Sequence, residues 1–203
     1  MTTTPSPPRA AADLTRQRLL TAAEALVVGQ GVHALSVRRI AAAAGVNSAL
    51  IRYHFGGTDG LLRELALRNA GCIAARRAAI LAAGPADFAR GVDALVEPLW
   101  APAAMDENLR AMVVLDEIFA RAAEALHREV WAALAEGVAE VTRVLAAALP
   151  AVDAETLRWR VRFVTAAALD VPPRRARVTD RALRLEQFRR FAAHALSASP
   201  EAC

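Results

Sequence analysis

The sequence predicts an all-α protein of about nine helices, and three observations lead to this expectation. Ala, Leu, Arg and Glu, which are strong helix formers, are abundant along the 203 residues. Apolar and polar residues do not alternate over any convincing stretch, so no β-strand is expected. Apolar residues make up 55% of the chain and charged residues 23%, which is the balance of a folded protein.

Composition argues against membrane, secreted and disulfide-bonded proteins. The longest stretch of the folded part without Asp, Glu or Arg, residues 25–37, has 13 residues and is too short to span a bilayer. Residues 1–10 lack the apolar core of a secretory signal. Cys72 and Cys203 are too few for a disulfide framework or a zinc site. We therefore expect a cytoplasmic protein with no metal, no cofactor and no membrane partner.

Charge is distributed unevenly along the chain, and every basic residue other than His is Arg. Residues 1–80 carry 10 Arg and 4 acidic residues, whereas residues 81–150 carry 5 Arg and 11 acidic residues. Residues 151–203 are basic again, with 10 Arg and 6 acidic residues. A basic N-terminal third beside an acidic middle indicates contact with a polyanion, and the alternative is an ordinary solvated surface.

The first predicted elements are a flexible arm and one long helix. Residues 1–12 contain Pro5, Pro7 and Pro8 and are expected to be the arm. Asp13 or Thr15 would cap a helix that runs to about Gly29. Its apolar residues recur at helical spacing and form one face: Leu19, Leu20, Ala23, Leu26 and Val27.

Residues 36–55 predict two short helices joined by a tight turn. Ser36 is placed to cap a helix over 37–44, and Gly45 supplies the turn residue. Asn47 is placed to cap a helix over 48–55, which Gly56 and Gly57 end. Two helices of about eight residues around a Gly-centred turn are typical of a helix-turn-helix. The second helix would present Asn47, Ser48, Arg52, Tyr53 and His54, which are side chains that hydrogen-bond bases or phosphates.

Spacing alone leaves a second interpretation open, a compact helical hairpin with a polar outer face. The remaining chain predicts further helices over 58–81, 87–100, 105–149, 153–170 and 179–196. The helix over 58–81 begins at Thr58 or Asp59, which would cap it, and contains no Pro. The segment 105–149 is either two helices or one kinked helix, and a Pro172–Pro173 turn separates the last two helices.

Residues 16–62 resemble the DNA-binding domain of the TetR (tetracycline-repressor-like) family. The matching positions are 18–23, 29–31, Ser36, Ile40, Ala41, 44–46, 50–55, Asp59, Leu61 and Leu62. The resemblance implies a homodimeric transcriptional regulator that binds an inverted repeat in double-stranded DNA, usually a repressor released by an unidentified small molecule. It also implies a division into a helix-turn-helix domain over 13–57 and a ligand-binding and dimerisation domain over 58–203, with 58–82 as a connecting helix.

The resemblance also implies roles for individual residues. Asn47, Ser48, Arg52 and Tyr53 would contact DNA in the major groove, Ser36 and Arg38 would hold the backbone from the first short helix, and His54 would do so from the end of the second. Two positions depart from the family pattern. Thr58 stands where the family commonly has a phosphate-binding Lys, which removes a cation. Arg52 stands where the family often has Tyr, and its reach to phosphate partly offsets that loss.

The C-terminal two thirds predict a ligand pocket and a dimer interface. By the resemblance, the pocket candidates are Trp100, Met105, Met112, Phe119, His127, Trp131 and Phe163. The alternative for each of them is a plain core position. The dimer candidates, which form apolar stripes on the last two helices, are Leu157, Val161, Val164, Leu185, Phe188 and Ala192. The alternative for these is packing within one chain.

Two other functions compete with a DNA-binding regulator. An enzyme is not expected, because the chain has no GxSxG, HExxH, P-loop or dinucleotide-binding motif, and its His residues show no metal-ligand spacing. A helical small-molecule-binding protein without DNA binding is the stronger alternative. The expected ligand is apolar or aromatic.

Overall fold

The structure, a computed structural model, describes residues 7–100, 114, 115, 118, 124–170 and 178–199. These residues form eight α-helices and one 3₁₀ turn, with no β-strand among them. The helices are α1 Pro7–Gln30, α2 Val37–Ala44, α3 Ala49–Phe55, α4 Thr58–Ala82, α5 Phe88–Trp100, α6 Glu124–Ala148, α7 Ala154–Asp170 and α8 Val178–Ser197. The predicted all-α fold, with an N-terminal helix-turn-helix and a C-terminal helical domain, is confirmed.

Helix α1 begins six residues earlier than predicted. Residues 7–12 are helical, so they do not belong to the flexible arm expected over 1–12. Proline is tolerated in the first turn of a helix because its missing N–H would have no partner there. The alanines that follow Pro8 and Arg9 have the highest helix propensity, and this allows the helix to start before Asp13.

The N-terminal helices share a core with the start of α4. Each contributes fully buried aliphatic side chains, and the largest of these are Leu19, Leu20, Ile40, Ile51, Leu61 and Leu65. The small residues Ala41 and Ala44 of α2 are also buried, which lets α2 pack closely on α1. Burial of this apolar surface fixes the position of α2 and α3 relative to α4.

Helix α4 joins the two halves of the molecule. Its first turns pack against α1 and α3, and its remainder packs most extensively against α5 and α6. Ion pairs link α4 to its neighbours near its start and near its end. Arg16 of α1 pairs with Glu64 at 2.5 Å, and Arg63 of α4 donates from Nε to Glu129 of α6 at 2.7 Å. Farther along α4, Arg76 pairs with Glu97 of α5.

The apolar stripes of α7 and α8 pack inside the protomer. Helix α5 contacts both helices. This packing covers the six residues predicted to form the dimer interface. Five are buried in the single chain, Leu157, Val161, Val164, Leu185 and Ala192, and Phe188 is half-buried. The five buried residues are therefore covered within the single chain, which is the alternative that the sequence left open for them. The apolar face of α5 is buried when it packs against another apolar surface, and the stripes of α7 and α8 are the most continuous such surfaces.

No helix within the described residues is long and apolar enough to cross a membrane. The same residues contain no group of three or more His, Cys, Asp or Glu side chains placed to hold a metal ion.

Candidate nucleic-acid interface

The turn between α2 and α3 is a Schellman motif centred on Gly45. Gly45 has φ 63° and ψ 40°, a left-handed conformation that favours glycine. Its N–H donates to the carbonyl of Ala42 at 3.1 Å, and the N–H of Val46 donates to the carbonyl of Ala41 at 3.0 Å. These bonds end α2 and aim the chain into α3, so the predicted helix-turn-helix geometry is present.

Ser36 caps α2 as predicted. Its hydroxyl oxygen accepts from the N–H of Arg39 at 3.3 Å, and its backbone is extended. The exposed hydroxyl keeps its proton for donation to an acceptor outside the chain. Arg38, in the first turn of the same short helix, is exposed.

Asn47 holds the start of α3 with its side-chain oxygen. Asn47 Oδ1 accepts from the N–H of Ala49 at 2.8 Å, so α3 begins at Ala49, one residue later than predicted. Ser48 occupies the cap position with helical dihedral angles and makes no side-chain capping bond. Because the amide oxygen is used within the chain, Asn47 presents its NH₂ group, a pure donor, to the outside.

Helix α3 has one buried side and one open side. Ile51 is fully buried and Leu50 is half-buried. Arg52 is exposed, and Tyr53 is 78% exposed, although an aromatic ring of that size is usually covered. The half-buried His54 ring lies 4.9 Å from the Tyr53 ring at 81°, an edge-to-face arrangement that limits how far Tyr53 swings.

The open side is positively charged because no acidic residue opposes it. No Asp or Glu occurs between Glu24 and Asp59. Glu24 is 6% exposed and lies 3.6 Å from Arg68, so its charge faces inward. Among the described residues, no carboxylate pairs with Arg38 or Arg52. The surface formed by Ser36, Arg38, Asn47, Ser48, Arg52 and Tyr53, here called the α2–α3 face, therefore offers hydrogen-bond donors and unpaired positive charge.

Thr58 is the first residue of α4 and does not cap it. Gly57 occupies the cap position with φ 144°, a conformation that L-residues rarely adopt, and no side chain caps the helix. The expectation that Thr58 or Asp59 caps α4 is therefore wrong, because the Gly56–Gly57 turn places Thr58 inside the first turn. Thr58 is half-buried at the edge of the α2–α3 face.

A cavity of about 800 Å³, open to solvent on one side, lies between α6 and α7, and Trp131, Arg158 and Arg162 are exposed members of its lining. Its lining is mostly apolar: Trp131, Leu134, Ala135, Val138, Ala139, Thr142, Arg158, Val161, Arg162, Thr165 and Ala166. Trp131, a predicted pocket residue, is part of this lining. Arg158 and Arg162 were not among the predicted pocket residues, although their spacing of four residues places them on one helix face.

The other pocket predictions fall elsewhere. Phe163 is 64% exposed and stacks on Trp159 at 5.8 Å, because it lies about 200° around the helix from Val161. Its ring therefore does not line this cavity. His127 is half-buried on α6 and outside this lining. The side chain of Trp100, and all of Met105, Met112 and Phe119, lie outside the described residues.

Four large apolar side chains stand out on the surface of α7 and α8. Trp159 and Phe163 of α7 and Leu183 and Phe191 of α8 are each about half exposed or more. We call this set the α7–α8 surface. It flanks the buried stripes that the sequence analysis assigned to the dimer.

Residues 19–65 match the family described as bacterial regulatory proteins, tetR family. Residues 19–65 therefore form a DNA-binding domain of the tetR family. Solved TetR-type structures share the fold of the chain. A TetR family member from Streptomyces coelicolor is 27% identical, with 89% of this chain and 97% of that chain covered and a TM-score of 0.57. A TetR family transcriptional regulator, PfmR from Thermus thermophilus, is 20% identical, with 100% of each chain covered and a TM-score of 0.63.

The fold likeness extends to a more distant regulator. The fatty acid degradation regulator FadR from Bacillus halodurans is 17% identical, with 98% of this chain and 99% of that chain covered and a TM-score of 0.67. No curated protein matches the chain in sequence. The predicted resemblance is confirmed over residues 19–65, and the protein is a transcriptional regulator with a tetR-type helix-turn-helix DNA-binding domain. A ligand-binding protein without DNA binding is not favoured, and regulators of this family are generally not enzymes.

Proposed function

We propose that this protein is a homodimeric repressor that acts in the cytoplasm on an inverted-repeat operator and is released by a small molecule. The observation that carries the proposal is the α2–α3 face, which is exposed, rich in donors and free of acidic residues from position 25 to 58. DNA presents phosphates and base acceptors to such a surface. The chain acts by binding and catalyses no reaction.

In this proposal α3 enters the major groove. Arg52 and Tyr53 lie on its open side, and Asn47 adds an NH₂ donor at its start. The Arg52 guanidinium and the Asn47 NH₂ group are donors, and they match the N7 and O6 acceptors of guanine. Ser36 and Arg38 hold one backbone, and His54 and Thr58 lie where the other passes.

The proposed dimer forms through the α7–α8 surface. Exposed aromatic side chains on two adjacent helices are unusual for a monomer, since large apolar patches mark interaction sites. A second copy placed across a two-fold axis would cover Phe163 and Phe191 with their own counterparts. The two α3 helices would then contact half-sites about 34–36 Å apart, which requires an inverted repeat.

Helix α4 is proposed to couple the ligand to DNA. It is tied to α1 through Glu64 and to α6 through Arg63, so a change at α6 reaches the DNA-binding domain over rigid helix. A ligand shifts the dimer between two α3 spacings only as far as its affinities for the two states differ. Insertion of Gly-Gly after Arg68 would leave DNA binding measurable and uncouple it from the ligand. Unchanged ligand-induced release would contradict the coupling.

Selection of bound sequences from random duplexes tests the function directly. The wild-type protein is expected to enrich a palindrome with guanine in each half-site, and Arg52→Ala is expected to bind the enriched duplex at least tenfold more weakly. If the wild-type protein at low salt prefers no duplex sequence, the proposed function is wrong. Enrichment of a single half-site would still show DNA binding but would contradict the inverted repeat.

A further inference from the structure

The cavity between α6 and α7 has an apolar part and a charged part. Its α6 wall is a stripe at helical spacing, with Trp131, Leu134 and Val138 as its large members. Small alanines on both helices, such as Ala139 and Ala166, leave the space between the walls. The volume of about 800 Å³ is within the range of pockets that hold small organic molecules.

The charged part of the cavity comes from α7 alone. Arg158 and Arg162 lie one helical turn apart in the lining, which contains no Asp or Glu among the described residues. Neither guanidinium pairs with a carboxylate of the described chain, and that of Arg162 lies 5.4 Å from the centre of the Trp159 ring. Two neighbouring cations without an acidic partner favour an anion between them.

The two hydroxyl groups of the cavity already form hydrogen bonds within the chain. Thr142 Oγ1 donates to the carbonyl of Val138, and Thr165 Oγ1 donates to the carbonyl of Val161, each at 2.8 Å. The donors left for a ligand are therefore those of the two guanidinium groups and the indole N–H of Trp131. A bidentate acceptor with a negative charge, such as a carboxylate, matches the guanidinium groups in charge and geometry.

We infer that this cavity binds an amphipathic monoanion, with its apolar body along Trp131, Leu134 and Val138 and its anionic group at Arg158 and Arg162. This inference rests on the proposed function only in making that anion the ligand that releases DNA. It narrows the ligand class from apolar or aromatic molecules to those that also carry an acidic group. A second copy of the chain is the rival occupant of the same cavity.

Titration calorimetry on the full chain without DNA tests the site with three probes below their aggregation concentrations. Dodecanoate and 2-naphthoate carry the same carboxylate on aliphatic and aromatic bodies, and dodecan-1-ol lacks the charge. At least one carboxylate is expected to bind ten times or more tightly than dodecan-1-ol, and the tighter one identifies the body. Equal affinity of all three probes would overturn the inference.

Paired variants assign the effect to the two arginines. Arg158→Gln with Arg162→Gln is expected to weaken carboxylate binding tenfold or more and to leave dodecan-1-ol binding unchanged. Arg143→Gln is the matched control, because Arg143 is exposed on α6, pairs with Glu140 and is outside the lining. An equal loss in the control variant would contradict the site. Ala139→Trp, which fills the cavity, is expected to weaken all three probes.

Two further outcomes keep the test decisive. If no carboxylate binds and the double variant instead changes the oligomeric state, a second copy occupies the cavity and the inference fails. If the carboxylate binds through both arginines but no duplex sequence is preferred, the proposed function fails while the binding site stands. Melting curves without ligand confirm that each variant is folded.

Discussion

Gly60 of α4 lies against the end of α3 so closely that a Cβ at Gly60 would be 1.9 Å from the carbonyl oxygen of Phe55. That distance is far shorter than any real carbon–oxygen contact, and the neighbour is backbone that has no rotamer to change. The contact fixes where α4 leaves the DNA-binding domain. It therefore sets the angle between the connecting helix and α3.

Replacing this glycine is expected to be costly. Gly60→Ala forces α3 and α4 apart, and we expect a loss of about 1–3 kcal/mol in the free energy of unfolding, the cost typical of overpacking. Gly71→Ala on the same helix is the matched control, because no atom lies within 4 Å of a Cβ there. Alanine is the better helix former, so the control is expected to gain about 0.5–1 kcal/mol. Urea unfolding measures both, and a stabilised Gly60→Ala would contradict the close contact.

Arg52 is expected to supply one of the contacts between α3 and DNA. Arg52→Ala is predicted to weaken binding to the selected duplex at least tenfold. If Arg52 contacts phosphate, the slope of log affinity against log salt falls by about one unit. If it reads guanine instead, the slope changes less and discrimination at one base pair is lost. Fluorescence anisotropy over a salt series separates the two, and Arg128→Ala on α6 is the control that should change neither.

Phe163 is expected to lie at the centre of the dimer. Phe163→Glu places two carboxylates in one two-fold interface, and we expect the dimer dissociation constant to rise at least thirtyfold. Sedimentation velocity measures it. Leu14→Glu is a matched control, because Leu14 is equally exposed but lies on α1. A Phe163→Glu protein that dimerises like the wild type would exclude the α7–α8 surface.

Asp153 is expected to make stability depend on pH in the acid range. Hydrogen bonds from the side chain and the main-chain N–H of Thr156 hold the pKa of Asp153 below its ordinary value of 3.8. A lowered pKa in the folded state means that the ionised carboxylate stabilises the protein above that ordinary value. This contribution is lost as pH falls through the folded-state pKa.

Comparison with Asp153→Asn isolates that effect. Asn also caps helices, so the variant keeps the bond from the N–H of Thr156, 2.9 Å in the wild type, and removes the charge together with one acceptor oxygen. We expect the melting temperature of the wild type to exceed that of Asp153→Asn near neutral pH, and the difference to shrink below about pH 4. A difference that stays constant far below the folded-state pKa would show that the charge contributes nothing.

Arg77 is expected to lower the stability of the fold. It is 2% exposed, its Nε donates to the carbonyl of Ala94 at 3.1 Å, and its Nη1 has no hydrogen-bond partner among the described residues. Burial lowers the pKa of the guanidinium, which shows that its charged form is disfavoured there. Arg77→Met keeps much of the length of the side chain and removes the buried charge, so we expect a higher melting temperature.

The neighbouring residue is the control for Arg77. Arg76 is half exposed and pairs with Glu97, so Arg76→Met is expected to change the melting temperature little. Differential scanning calorimetry compares the two variants. A destabilised Arg77→Met would mean that Arg77 stabilises the packing between α4 and α5 more than its buried charge costs.

The helix-turn-helix was readable from the residues because its signals are local. Ser36, Gly45 and Asn47 each satisfy or position backbone groups within a few residues of themselves, and the structure places all three at the turns that they predict. Short-range hydrogen bonding and left-handed backbone geometry do not depend on which distant helix packs nearby. The polar side of α3 followed from the same local register.

The C-terminal half required the tertiary structure. Periodicity identified Val161 and Leu185 as apolar face residues, but it did not say whether helices of the same chain or a second subunit would cover them, and the structure shows that they are buried within the single chain. Likewise, Arg158 and Arg162 became a pair in a cavity only because α6 packs beside α7 and leaves space between them. A helix of one chain presents the same stripe to any partner, and burial is decided by neighbours that are far away in sequence.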